Sequence, residues 1–373
     1  MHHRISGLNL LLALASLVLP VQALAAPDNA LPTPVGSVQL QLDTGAAEIE
    51  MLDVGLAIFD PGIPQDKSTH SKLGIFPEIR KSEAQFMAVI LRQLLIDSGA
   101  WGVVRVLPRA DDTAELLISG KIIHSDGLSL VLDISVRDAT GRPWLNRRYS
   151  DAAWESDYPV APGGDPFIDL YRQVANDLLD FRGRLGEVEL RQIRQVAQLR
   201  YAGSLSPEAF DGYLQRSEEG RYSAIRLPAE GDPMMQRVTT IRNQEFLFID
   251  TVDEQYASLY EQMSPTYNLW RQYGREQAIY RKDYQERVAS RDSRGRKGSF
   301  VAMQQTYDAY KWSKIHEQDL DELALGFNNE VTPTILEVSG KVFRLNGTLD
   351  TQYSEWRNIL RQIFTLETGL PPQ

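Results

Sequence analysis

The imidazole and thiol side chains that most often serve nucleophilic and transition-metal chemistry are scarce in this 373-residue sequence, which holds five histidines and no cysteine. Two histidines lie at positions 2 and 3, which leaves His70, His124 and His316. No HExxH or paired-histidine spacing occurs, so a zinc hydrolase is disfavoured. His316 with Glu317, Asp319, Asp321 and Glu322 is the one local group of hard-cation ligands; on a helix these positions spread around the axis and read as a solvated acidic face. His124-Ser125-Asp126 contains the residue types of a catalytic triad, but a triad needs convergent geometry that three consecutive residues do not supply. Ala202-Gly203-Ser204-Leu205-Ser206 lacks the G-x-S-x-G spacing of a nucleophile elbow. Gly163-Gly164 is too short to cradle a phosphate, and Asn346-Gly347-Thr348 fits an Asn-Gly turn as well as a glycosylation sequon. On this reading no catalytic residue, metal ligand or cofactor site is assigned.

The distinctive charged feature is a basic segment, Arg287, Arg291, Arg294, Arg296 and Lys297, in a chain of formal net charge -11. This local reversal of sign makes it the candidate interaction surface, suited to anionic lipid headgroups, lipopolysaccharide or an acidic patch on a partner. A solvated loop between helices is the competing reading. The acidic balance elsewhere argues against nucleic acid, whose phosphates call for clustered lysine and arginine.

Residues 1–25 read as a secretory signal: Arg4, an apolar run from Leu8 to Val21, then Ala23-Leu24-Ala25 as an A-x-A cleavage site. Residues 26–37 read as a flexible leader, and no later stretch is apolar enough to span a bilayer. An exported chain without disulfides must rely on packed cores, which suits a bacterial periplasm.

The elements that would position these residues follow from periodicity. Glu48–Phe59 is β-rich and ends at Asp60-Pro61-Gly62; Pro77–Ser98 changes to helical spacing and stops at Ser98-Gly99. Val103–Leu107, Ala114–Ile123, Leu128–Val136 and Trp144–Tyr149 are strands, with Ser125-Asp126-Gly127 and Asp138-Ala139-Thr140-Gly141 as turns between antiparallel neighbours. Phe167–Phe181 is helical, with Asp165-Pro166 as cap and first-turn pair. Gly186–Gln198 is helical, Tyr201–Ser204 is a break, and a short helix follows Ser206-Pro207 with Phe210, Tyr213 and Leu214. From Asp232 to Tyr284 runs the strongest signal: Ile249, Val252, Tyr256, Leu259, Met263, Thr266, Trp270, Tyr273, Gln277, Tyr280 and Tyr284 in steps of three and four. Pro265 within it predicts a kink or two abutting helices. A further helix over Ser299–Leu325 would pair with it as a coiled-coil-like antiparallel hairpin, with the basic segment at the tip. Two strands, Ile335–Val338 and Val342–Leu349, and a helix Thr351–Leu366 close the chain.

VGLAIF at 54–59, MAVILRQLLIDSGAWGVVRVLP at 87–108, AELLISGKI at 114–122, LSLVLDISVRDATGRPWLNRRY at 128–149 and the helix from Pro166 together resemble the periplasmic N-terminal α/β domain of TolB and related CsgG-like envelope-assembly proteins. The resemblance covers roughly a third of the chain and carries no functional motif. It implies an envelope location and a binding role, while the repeat of a β-propeller is missing downstream. GKVFRLNGTLD at 340–350 with its following helix is weakly similar to half of a BON-type envelope module.

The expected fold class is α+β: a small mixed α/β sheet domain, then a helical domain with a long antiparallel helical hairpin, then a C-terminal β-β-α unit. The expected divisions are 38–183, 184–326 and 327–373. The functional expectation is a non-catalytic periplasmic adaptor or assembly factor binding envelope proteins. The alternatives are a periplasmic hydrolase of glycan or peptide using paired carboxylates in a cleft, and a soluble lipid or small-molecule carrier with a large apolar cavity.

Overall fold

The computed structural model describes residues 32–43, 45, 47–111, 113–292, 318, 333–338 and 341–369. Its fold class is α+β. Strand β1 (Val54–Ala57) is joined to β2 (Val104–Leu107) through short helix α1 (His70–Leu73) and helix α2 (Pro77–Asp97). The two strands pair in parallel, as a helical crossover requires. Strands β3 (Leu116–Ser125), β4 (Ser129–Asp138) and β5 (Pro143–Ala152) then form an antiparallel meander, giving a mixed sheet of order β2-β1-β3-β4-β5. The turns are built as their sequences predict: Asp126 Oδ1 accepts from the N–H groups of Leu128 and Ser129, and Asp138 Oδ1 from that of Thr140.

Alternation along the strands sorts the two faces. Leu116, Ile118 and Ile122 of β3 and Leu130, Leu132, Ile134 and Val136 of β4 are buried under α2 and α3 (Ile168–Arg182). Their neighbours in sequence point the other way. On the meander that face carries Asp133 and Arg148, an ion pair between facing residues, so this half of the sheet meets solvent on one side. At the parallel end the second face is covered: Leu107 and Leu117 join a second core with the end of α4 (Glu187–Leu205), α6 (Pro233–Asp292) and α7 (Leu349–Thr368).

Several expectations are corrected. The first strand begins at Val54, and Glu48–Glu50 forms a 3-10 turn instead. Within the expected flexible leader, Val35 N–H donates to Ser150 O at the sheet edge, and Asn176 holds the following backbone at Gln39 and Gln41. No break occurs at Tyr201–Ser204: α4 runs on to Leu205 because Tyr201, Ala202 and Leu205 are buried in the second core, which outweighs the weak helix preference of Gly203. The short helix α5 (Pro207–Phe210) stops before Tyr213 and Leu214, and Leu214 starts a hairpin, β6 (Leu214–Arg216) with β7 (Tyr222–Ala224), not foreseen from the pattern. Asp165 caps the turn ahead of α3 through Phe167 N–H, not the helix itself, which starts at Ile168.

Helix α6 is continuous over 60 residues, about 90 Å at 1.5 Å per residue. Pro265 removes one backbone donor but does not divide it, because side chains on both sides of the proline pack against α2: Tyr260 and Met263 before it, Tyr267 and Trp270 after it. The seam is thus shared among several partners. Ile249 and Val252 belong to the second core, whereas Tyr267 and Trp270 pack with Ile79 and Phe86 of α2. The expected partner helix, Ser299–Leu325, lies outside the described residues apart from the helical Gln318.

Strands β8 (Thr334–Val338) and β9 (Lys341–Leu345) form their own two-stranded sheet rather than extending the first one. Thr348 caps α7 by accepting from Thr351 N–H, so Asn346-Gly347-Thr348 acts as a turn and helix cap. Tyr353, Trp356, Leu360 and Phe364 recur at three- and four-residue steps on the buried face of α7 and pack on α6.

Candidate functional site

Among the described residues, those singled out from sequence are not brought together as a catalytic centre. His124 Nε2 lies 3.0 Å from Asp126 Oδ2, but Ser125 points inward and donates to Glu83 Oε1 at 2.7 Å, so these three do not form a triad. His70 Nε2 bonds the Pro64 carbonyl. Gly163-Gly164 belongs to a turn closed by Gly164 N–H on Ala161 O. Arg287 and Arg291 lie on the last turns of α6; Arg294, Arg296, Lys297 and the acidic group at 316–322 other than Gln318 fall outside the described residues. Among the described residues no group of three or more carboxylates and histidines could hold a metal ion.

Ionisable side chains instead gather in two closed hubs, each tying α6 to other elements. In the first, Glu245 of α6 accepts from Tyr201 of α4 and Tyr353 of α7, while Arg357 of α7 pairs with Asp111 in the β2–β3 connection at 3.0 Å. Burial raises the pKa of Glu245, and Arg357 beside it pulls the other way. Three helices therefore meet at one carboxylate, and Arg357 links the β2–β3 connection to it. This site was legible in part, since Glu245 falls on the same helical stripe as Ile241, Phe248, Ile249 and Val252.

The second hub holds Arg271, whose side chain is 1 % exposed, against Asp165 at 4 %. The guanidinium sits over the Tyr267 ring at 4.2 Å and the Phe167 ring at 5.5 Å. Glu83 receives Ser125 and Tyr267 hydroxyls on one oxygen and faces Arg80 Nε at 2.9 Å on the other. Backbone contact completes the hub. A Cβ on Gly127, whose φ is +78°, would lie 2.0 Å from Arg271 O, and one on Gly274 would lie 2.9 Å from Asp126 O. The β3–β4 turn can approach α6 this closely because glycine stands on both sides.

Searches of family models, of curated proteins and of solved structures each find no match.

One open feature gathers acids. A cavity of about 370 Å³ beside the end of β5 is lined by Asp151, Asp157, Asp165 and Asp169, with Trp154 at 74 % exposure among its lining residues. Burial, together with the charges of Asp169 and Asp157, pushes the Asp151 carboxyl up to about 6, against the backbone N–H of Ala152, which lowers it. Each acid also has a structural partner: Asp157 accepts from Trp154 N–H, Asp165 from Arg271, Asp169 from Arg172 and Asp151 from Ala152 N–H. Because the folded state holds the Asp151 proton more tightly than the unfolded chain, its stabilising contribution is complete in acid and is lost as pH rises through about 6. An Asp151→Asn variant is accordingly expected to melt above the parent at pH 8 and alongside it at pH 4, read by thermal unfolding at both values.

A second cavity, about 470 Å³, lies between α4 and α6 and is lined by Gln195, Gln198, Asp232, Leu227 and Met235 among others. Its mixed polar lining differs from the apolar enclosure a lipid carrier needs.

Proposed function

We propose that this protein is a non-catalytic adaptor or assembly factor of the bacterial cell envelope that binds protein partners in the periplasm. The observation that carries the reading is α6: one continuous helix contributes to two hydrophobic cores, anchors both ionic hubs and runs on to the basic residues at its far end. A helix of that length, packed from Met235 to Gly274 against several elements and running on beyond them, suits a protein that bridges components better than one that turns over a substrate. The ionisable groups most deeply buried are engaged in holding elements together, which supports the same reading. Among the described residues no helix is long and apolar enough to cross a membrane.

Affinity purification of the tagged full chain from native envelopes tests it. Expected is recovery of stoichiometric envelope proteins, lost when Arg287, Arg291, Arg294, Arg296 and Lys297 are all changed to glutamine, without a change in melting temperature. Recovery of a lone monomer under mild conditions would overturn the reading.

A periplasmic hydrolase is the second reading, favoured by one observation, the raised Asp151 carboxyl beside Asp157 and Asp169 in the cavity at β5. Turnover of glycan or peptide that disappears in the Asp151→Asn variant would move the assignment to this class.

A further inference from the structure

Strand β2 is an edge of the five-stranded sheet, yet its outer side is not open. Val103 O and Leu107 O accept from Val54 and Ile58 N–H groups, so the odd-numbered residues of this strand serve β1. The backbone groups of Val104 and Val106 consequently face away from the sheet. Two side chains meet them there: Arg92 Nε of α2 donates to Val104 O at 3.1 Å, and Asp253 Oδ2 of α6 accepts from Val106 N–H at 3.2 Å. The two side chains also face each other, 3.5 Å apart. In a parallel ladder one residue of the next strand donates its N–H to residue i−1 and accepts at its C=O from residue i+1. Arg92 and Asp253 supply that donor and that acceptor.

We infer that Arg92 and Asp253 together stand in for one residue of a sixth, parallel strand, and that the protonation state of Asp253 sets how tightly α6 is held on the edge they cover. Beside them Asp250 of α6 grips Arg105 of β2 with two hydrogen bonds, at 2.7 and 3.2 Å, so the charged groups facing Asp253 are Arg92 from α2, Arg105 from β2 and Asp250 from its own helix. Asp253 is 7 % exposed, and its Oδ1 has no hydrogen-bond partner among the described residues. An ionised carboxylate in that position keeps one oxygen desolvated and unsatisfied, whereas a protonated one still offers an acceptor to Val106 N–H.

Burial raises Asp253 to about 7, outweighing the opposite pull of Arg92 and the Val106 N–H. Docking of α6 on β2 therefore binds a proton that the opened state gives up. The contact is tightest in acid and loosens as pH rises through 7.

Hydrogen–deuterium exchange of the 103–108 segment in the full chain, corrected for the intrinsic pH dependence of exchange, tests this. Between pH 6 and pH 8 the opening equilibrium of the parent is expected to rise about tenfold, the change one carboxyl titrating near 7 produces. Asp253→Asn should flatten that rise, while Asp250→Asn, which takes away a neighbouring like charge, should move its midpoint to lower pH. Arg92→Gln removes the cation that favours ionisation and should move the midpoint to higher pH, which keeps the idea testable even if the Asp253 variant does not fold. Equal pH slopes in the parent and Asp253→Asn, or a midpoint unmoved by Arg92→Gln, would overturn it.

Discussion

Replacing Arg271 by methionine is expected to cost about 3–5 kcal/mol, the usual penalty for removing one partner of a buried ion pair. The reason lies in what remains. Asp165, 4 % exposed, would be left buried without its countercharge, and the Tyr267 and Phe167 rings would lose the guanidinium that covers them. The Arg271 Nε and Nη2 atoms have no hydrogen-bond partner among the described residues, so the ion pair itself is an expensive one to bury. That makes a second expectation sharp: Asp165→Asn combined with Arg271→Met should recover a large part of the loss, since no unpaired charge is left. Denaturant unfolding of the parent, the single and the double variant gives the answer. A single-variant cost below about 1 kcal/mol, the level of an exposed pair, would show that Arg271 and Asp165 are not paired in a dry site.

Trp356→Ala should cost a similar amount, about 3–5 kcal/mol for a buried tryptophan, but its effect should be local. The ring is 0 % exposed, stacks on Phe248 of α6 at 6.5 Å, meets Phe343 of β9 edge-on at 5.7 Å, and donates its N–H to Gln244 O. It is the largest fully buried side chain of the face joining the C-terminal unit to α6. Truncation leaves a cavity at that junction, so amide exchange across 334–338 and 349–368 should rise steeply while the β3–β5 meander stays protected. Uniform loss of protection over both regions would mean that the C-terminal unit and the sheet unfold together.

Both predictions concern contacts that link α6 to its surroundings, and these contacts separate what sequence determines from what it does not. The helical spacing of Ile249, Val252, Trp270 and Tyr273, the alternation of Leu130, Leu132, Ile134 and Val136, and the Asp-Gly turns between strands are local regularities, and they placed most of the elements within a few residues. Even the charged Glu245 on an apolar stripe could be noticed in the sequence, though its partners could not. The hairpin β6–β7 escaped because its strands are three residues long and carry no clear alternation. The break expected near Gly203 did not form, and of the kink or two abutting helices expected at Pro265 the second did not, for another reason: each rested on a local preference worth about 1–3 kcal/mol, which packing of neighbouring side chains against a second element can override.

The sequence by itself settled the fold class, the lack of any cysteine-based chemistry and the want of a catalytic motif, because composition and periodicity are properties of the chain alone. Tertiary structure alone decided that α6 contributes to two hydrophobic cores, that Asp165 answers Arg271 across 106 positions, and that Arg92 and Asp253 close the edge of β2. Such pairings depend on distances between residues remote in sequence, and a side chain's identity carries no record of what folding will bring beside it.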